Sequence, residues 1–185
     1  DFYNKNNNEL VATWGNLSYR VLSFAYKNWE GHVPVPGELR PEDQAALSVI
    51  DAGFQTVSEQ LNAVHLRAAL LEAMRLATEI NKYLDVTAPW LAIKTDKEAA
   101  AKSVFTALKA IDSLKILLAP FLPFTCEKLN QYLGYTQPIF GSQFTSTVQD
   151  ELGEHTVLQY NADQAHGSWT PSQLAPGQQL TQPAP

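Results

Sequence analysis

Few side chains in this 185-residue sequence are placed to do chemistry, and those that are do not form a catalytic set. At about 100° per residue, Asn16, Arg20, Ser23 and Lys27 fall on one strip of a helix, with Asn16 and Arg20 one turn apart. An amide offers donor and acceptor edges and a guanidinium offers a planar fork. Together they suit base edges or phosphate in a way that a lone lysine does not. The plainer alternative is a solvated face, or a bond between neighbouring helices. Trp90 is the second such residue: a large aromatic directly after Pro89 at a helix boundary is placed to present a stacking face, while a core role is its ordinary use.

Other chemistries find no support. His32, His65, His155 and His166 are scattered without metal-ligand spacing, and His65, near a helix start, reads as a surface or capping residue rather than a base. There is no cysteine pair, no phosphate-cradling glycine loop and no nucleophile elbow. The single cysteine, Cys126, sits among Phe121, Leu122, Phe124 and Leu129 and reads as a small buried thiol. No metal site, catalytic residue or cofactor is expected in this segment.

The elements that must position Asn16, Arg20 and Trp90 follow from hydrophobic period. Leu10, Trp14, Leu17, Val21 and Phe24 predict a first helix over about residues 4–28. Gly31, Pro34, Pro36 and Gly37 then predict a loop up to Pro41, which opens a second helix with Glu42 and Asp43 in its first turn and the stripe Leu47, Ile50, Phe54, Val57, Leu61. Leu66, Leu70, Ala73, Ala77, Ile80 and Leu84 predict a third. Pro89 ends it by disfavouring helical geometry at Ala88. Asp96 is placed to cap a fourth helix carrying Ala101, Val104, Leu108, Ile111 and Leu118. A fifth runs from about Phe124 to Leu133, stopped by Gly134. The expected fold is all-α: a bundle of about five helices over 1–135, followed by an extended polar arm over 136–185. From Thr136 onward Gln, Ser, Thr, Gly and Pro dominate around isolated apolar residues such as Phe140, Leu158 and Trp169. That stretch either packs across the bundle or docks on a further domain.

An apolar fraction of 45% fits a globular protein with a real core. A net charge of −6 argues against a broad basic surface, so any RNA contact must be local. No apolar run reaches the length of a membrane span and no secretory signal pattern opens the chain, so no membrane partner and a cytoplasmic location are expected. The chain opens on Asp1 rather than methionine and closes on Gln182-Pro183-Ala184-Pro185, which reads as a piece of a longer protein.

Four segments, in order, resemble the C-terminal helical domain of methionyl-tRNA synthetases, a class I family. Residues 14–20, W-G-N-L-S-Y-R, resemble that family's G-N-L-x-x-R element. Residues 83–94, Y-L-D-V-T-A-P-W-L-A-I-K, resemble its Y-x-D-x-x-A-P-W-x-x-x-K element, the most specific of the four. Residues 117–134 are similar to its L-x-P-F-x-P element, shared with related synthetases. Residues 167–185, with Trp169, Pro176-Gly177 and Leu180, resemble a terminal arm that in the family continues into Leu-Phe-x-Lys.

The resemblance implies an anticodon-binding domain that recognises the C-A-U anticodon loop of methionine tRNAs. It implies that Asn16 and Arg20 contact the first anticodon bases, that Trp90 stacks on the cytosine, and that Asp85 and Pro89 shape the turn presenting Trp90. Ala12 stands where many members have asparagine, so that contact is absent or supplied elsewhere, and Trp14 is also unusual. The His-Ile-Gly-His and Lys-Met-Ser-Lys-Ser signatures do not occur. Methionine attachment, ATP, Mg²⁺ and, where the family has its insertion, zinc would then belong to the catalytic domain of the parent enzyme, which would be this domain's other partner. Two further readings stand beside this one: a helical protein-interaction module that binds no RNA, suggested by the acidic charge and polar tail, and the equivalent domain of another class I synthetase, against which the A-P-W element speaks.

Overall fold

The computed structural model describes residues 13–184, so Leu10 and Ala12 lie outside the described residues. Five helices of ten residues or more account for most of the first 135 positions: α1 (Asn16–Asn28), α2 (Pro41–Asn62), α3 (Leu66–Thr87), α5 (Lys97–Leu118) and α6 (Pro123–Tyr132). A single turn, α4 (Pro89–Ala92), joins α3 to α5. α5 is the axis of the bundle. Its small and branched residues are apolar nearly all round, which makes it a core helix, and α2, α3 and α6 close over it. Leu108, Ile111, Leu114 and Leu117 are fully buried there, each contributing roughly 1.5–3 kcal/mol of transfer free energy. α2 and α3 approach closely because Gly53 has no side chain: a Cβ would fall 2.3 Å from Leu76 Cδ1.

The helix ends obey local chemistry. Pro41 occupies the first turn of α2, and Arg40 and Asp43 cap each other reciprocally. The Asp96 carboxylate accepts from Ala99 N at 2.9 Å at the start of α5. Ahead of Pro89, Ala88 leaves helical geometry for the left-handed region (φ 38°, ψ 59°), and α3 ends there. His65 is exposed and makes no cap bond. Leu66, assigned above to the apolar stripe of α3, is exposed, because the helix begins at that residue beyond the edge of the core. Cys126 is fully buried, and burial pushes its thiol up to about 12.

Two buried polar clusters tie the helices together. In the first, Asp43 accepts from Arg40 N, Nε and Nη2 and from Tyr83 Oη, the last at 2.5 Å, while Arg40 Nη2 also donates to Ser103 Oγ. This cluster joins α2, α3 and α5. In the second, Lys115 Nζ donates to Asp112 and Asn130 at 2.7 Å each, and Tyr135 and Ser172 donate their hydroxyls to Asp112 Oδ2. Every charge removed from water here has hydrogen-bonded partners, the condition under which buried ions are tolerated.

The all-α expectation needs correction beyond residue 135. Strands β1 (Ser142–Asp150) and β2 (Gly153–Asn161) pair antiparallel from Ser142↔Asn161 to Asp150↔Gly153 and form a hairpin exposed along most of its length. Thr, Val, Phe and Tyr favour this pleated surface, and Gly153 (φ 112°) supplies the turn geometry that other residues resist. Polar residues occupy both faces, so the apolar and polar positions do not alternate cleanly enough to announce a strand. The remainder of the arm returns to the bundle. Trp169 Nε1 donates to Phe54 O at 3.0 Å, Leu174 and Leu180 are buried, and Gln178–Thr181 bond to Gly31, Val33 and Tyr132. Gly134 (φ 87°) allows this closure, since a Cβ there would fall 1.8 Å from Gln179 O.

Candidate functional site

α1 lies against α5, buries Leu17, Val21, Leu22 and Ala25, and turns Asn16, Arg20 and Lys27 outward. Asn16, Arg20 and Lys27 are exposed, and Ser23 is half-buried. On the other side of the site, left-handed Ala88 and buried Pro89 swing the chain out of α3 so that Trp90 sits half-buried at the start of α4.

The two segments meet through Arg20 and Trp90. The guanidinium carbon lies 4.4 Å from the indole centroid, a cation–π contact. Phe24, one turn along α1, meets Trp90 nearly at right angles (centroids 6.2 Å apart, planes at 84°) and in turn meets Trp29 at 6.0 Å. Asn81 on α3 completes the arrangement. Its Oδ1 accepts from Arg20 Nη2 at 3.5 Å, and its Nδ2 donates to the carbonyls of Thr13 and Ala77 at 3.2 Å each.

Asn16 shares Arg20's helix face, yet its amide makes no hydrogen bond among the described residues. It lines a neighbouring groove of about 410 Å³ with Trp14, Tyr19 and, from α6, Lys128 and Tyr132. Asp85 is exposed on the last turn of α3 and makes no hydrogen bond among the described residues. The turn before Trp90 is braced instead by Thr87 Oγ1, which donates to Tyr83 O at 2.9 Å, and by the Tyr83–Asp43 bond. Asn81 and Phe24 are the positions that sequence reasoning did not assign to the site. Phe24 belongs to the apolar stripe of α1, and a polar residue at the edge of the α3 stripe is the available signal for Asn81.

Among the described residues no group of three His, Cys, Asp or Glu side chains is arranged to hold a metal, and no helix is long and apolar enough to cross a membrane. What the site offers is an aromatic plane, a guanidinium and an amide within one surface region. That inventory suits recognition of a flat polar ligand.

The fold has a known counterpart. It aligns with the crystal structure of Mycobacterium tuberculosis methionyl-tRNA synthetase bound by methionyl-adenylate at a TM-score of 0.78 and 23% identity. The alignment covers 98% of this chain and 32% of that one, a likeness of fold. The family model described as the anticodon binding domain of methionyl tRNA ligase matches residues 33–158, and the chain belongs to that family. Methionine–tRNA ligases of Thermomicrobium roseum and Chloroflexus aggregans are similar to it at 48% and 47% identity over the whole chain. The chain spans about a third of the length of these curated relatives (32% and 31%).

Proposed function

We propose that this domain recognises the C-A-U anticodon of methionine tRNAs, with Trp90 as the stacking platform and Arg20 and Asn16 as contacts to base edges or phosphate. The single observation that carries the reading is the meeting of Arg20 and a half-buried Trp90 at the surface: the guanidinium, itself a flat polar group, lies 4.4 Å from the indole centroid, so this ring face takes a planar partner from the solvent side. Unstacked anticodon bases are such partners, and stacking works without the broad basic surface that a net charge of −6 denies. Pro89 sets the ring's position at the start of α4, and Asp85 is exposed on the last turn of α3. The hairpin brings no cation to this reading, because residues 142–161 contain no Lys or Arg with which to neutralise phosphate.

In a full-length ligase the domain would select the tRNA for a distant catalytic domain in the cytoplasm, and that domain would handle methionine, ATP, Mg²⁺ and any zinc. Titrating the 185-residue chain with a C-A-U anticodon stem-loop and with a variant carrying G in place of C tests the reading. Preference for C-A-U is expected. Trp90→Ala should weaken that binding by roughly 1–3 kcal/mol, about 5- to 160-fold. Equal affinity for the two loops, or an unchanged Trp90→Ala variant, defeats it.

A further inference from the structure

Resting on that reading, a further role can be assigned to Arg20 and to a residue that touches no solvent-facing ligand position, Asn81. The guanidinium covers one face of the Trp90 indole and Phe24 stands against the ring at 84°, so the stacking surface is already filled in the free chain. Arg20 is held in that pose at its far end by Asn81 Oδ1. Asn81 is itself oriented, because its Nδ2 donates to both Thr13 O and Ala77 O, which turns the carbonyl oxygen toward Arg20.

We propose that Asn81 is a positioning residue that parks Arg20 on Trp90, and that a base binds by exchange. The base takes the indole face, and the released guanidinium takes an acceptor on the same ligand. A flat apolar ring gains the stack but leaves Arg20 without its partner. A base that brings an acceptor edge or a phosphate compensates both groups. The parked cation therefore sets a threshold that favours ligands carrying acceptors beside a stacking plane. A guanidinium over an indole at a partly exposed site is worth about a two- to fivefold factor in affinity, which is the size of the threshold.

The experiment has an arm without RNA. In the free chain the side-chain protons of Arg20 should be shifted upfield by the indole ring current. They should return toward ordinary positions in Trp90→Leu, and likewise when wild-type chain is saturated with the C-A-U stem-loop. In the binding arm, Asn81→Asp gives up the two Nδ2 bonds to Thr13 O and Ala77 O but turns the tether into an ion pair, and the stronger hold on Arg20 should lower stem-loop affinity two- to fivefold. Asn81→Ala loosens the tether and should raise affinity by a similar factor, with melting curves used to confirm that the variants are folded. Both effects should vanish in an Arg20→Ala background, which separates the tether from direct repulsion of RNA by the new carboxylate.

Arg20 resonances at ordinary positions in the free chain, or still shifted upfield in the complex, overturn the exchange. So do Asn81 variants that move affinity in the same direction, or that keep their effects without Arg20. Equal affinity for C-A-U and G-containing loops with the ring-current exchange intact overturns only the anticodon reading. Failure to bind either loop overturns both.

Discussion

Replacing Asp43 by asparagine is the sharpest test of how the bundle holds its shape. The carboxylate is wholly buried and accepts four hydrogen bonds, three from Arg40 and one from Tyr83. An amide in its place turns one acceptor into a donor. Were its nitrogen to take the Oδ2 position it would face both Arg40 N and Nε, and at Oδ1 it would face Nη2 and the Tyr83 hydroxyl. Breaking one side of a buried ion pair costs about 3–5 kcal/mol; the Arg40 side chain keeps 28% exposure and regains some hydration, so a cost near 3 kcal/mol is expected for Asp43→Asn. In a chain of this size that lowers Tm by roughly 6–12 °C. Burial by itself would push the Asp43 carboxyl up, but the bonds from Arg40 and Tyr83 outweigh it and hold the group below the usual carboxylate range. A depressed folded-state pKa adds stability that is fully present above the unfolded value, near pH 4, and is lost as pH falls through the folded value. The deficit of Asp43→Asn should therefore be largest at neutral pH and shrink below about pH 4. Urea unfolding followed by far-UV circular dichroism at pH 7 and at several acid pH values measures it. A deficit under about 1 kcal/mol at pH 7, or one that does not change in acid, refutes the assignment of this cluster as the clamp between α2 and α3.

Three other outcomes are expected. Gly134→Ala combines a left-handed backbone with a Cβ 1.8 Å from Gln179 O, so it should cost about 1–3 kcal/mol and speed amide exchange selectively at Val33 and Leu180, whose bonds depend on the arm. Trp169→Phe keeps a ring against Phe54 but removes the bond from the indole nitrogen to Phe54 O; a loss of about 1 kcal/mol in chemical denaturation is expected, and a loss below a few tenths would deny that bond a role. Cys126, buried and with its thiol pushed up to about 12, should react with a disulfide reagent at pH 8 at least roughly 1,000-fold more slowly than in urea, where a free thiol near 8.5 is about a quarter ionised.

The helices were readable because their apolar residues recur with one period and their ends carry proline, glycine or aspartate at positions with a mechanical meaning. Asp96, Pro41, Pro89 and Gly134 all act where local chemistry places them. The hairpin was not readable. Phe144, Val148, Val157, Leu158 and Tyr160 are divided between the two faces of strands whose other side chains are polar, and no core is buried beneath them to impose alternation. The path of the arm depended on bonds from Ser172 and Gln178 to groups far away in sequence, which no local pattern encodes. At the candidate site, residue types identified Arg20 and Trp90, but the contact between them requires α1 and the start of α4 to be brought together by the bundle. The tether from Asn81 is likewise a product of α3 lying beside α1. Asn16 faces an adjoining groove, a distinction that helical spacing of about 40° from Arg20 is too coarse to make.

The pairing of Val33 with Gln178 and Gly177 also bears on how the molecule is made. Roughly 145 residues separate the two partners, so at about 5–20 residues per second a ribosome takes roughly 7–30 s to supply the second after the first. During that interval the stretch around Gly31–Val33 exists without the strand that fastens it, and Tyr132 waits for Thr181 in the same way. Each helix forms within microseconds of its own synthesis, so the growing bundle carries an unlatched seam until the arm arrives. Residues 177–181 act as the latch, and the seam is where newly made copies are most exposed to proteases and to one another.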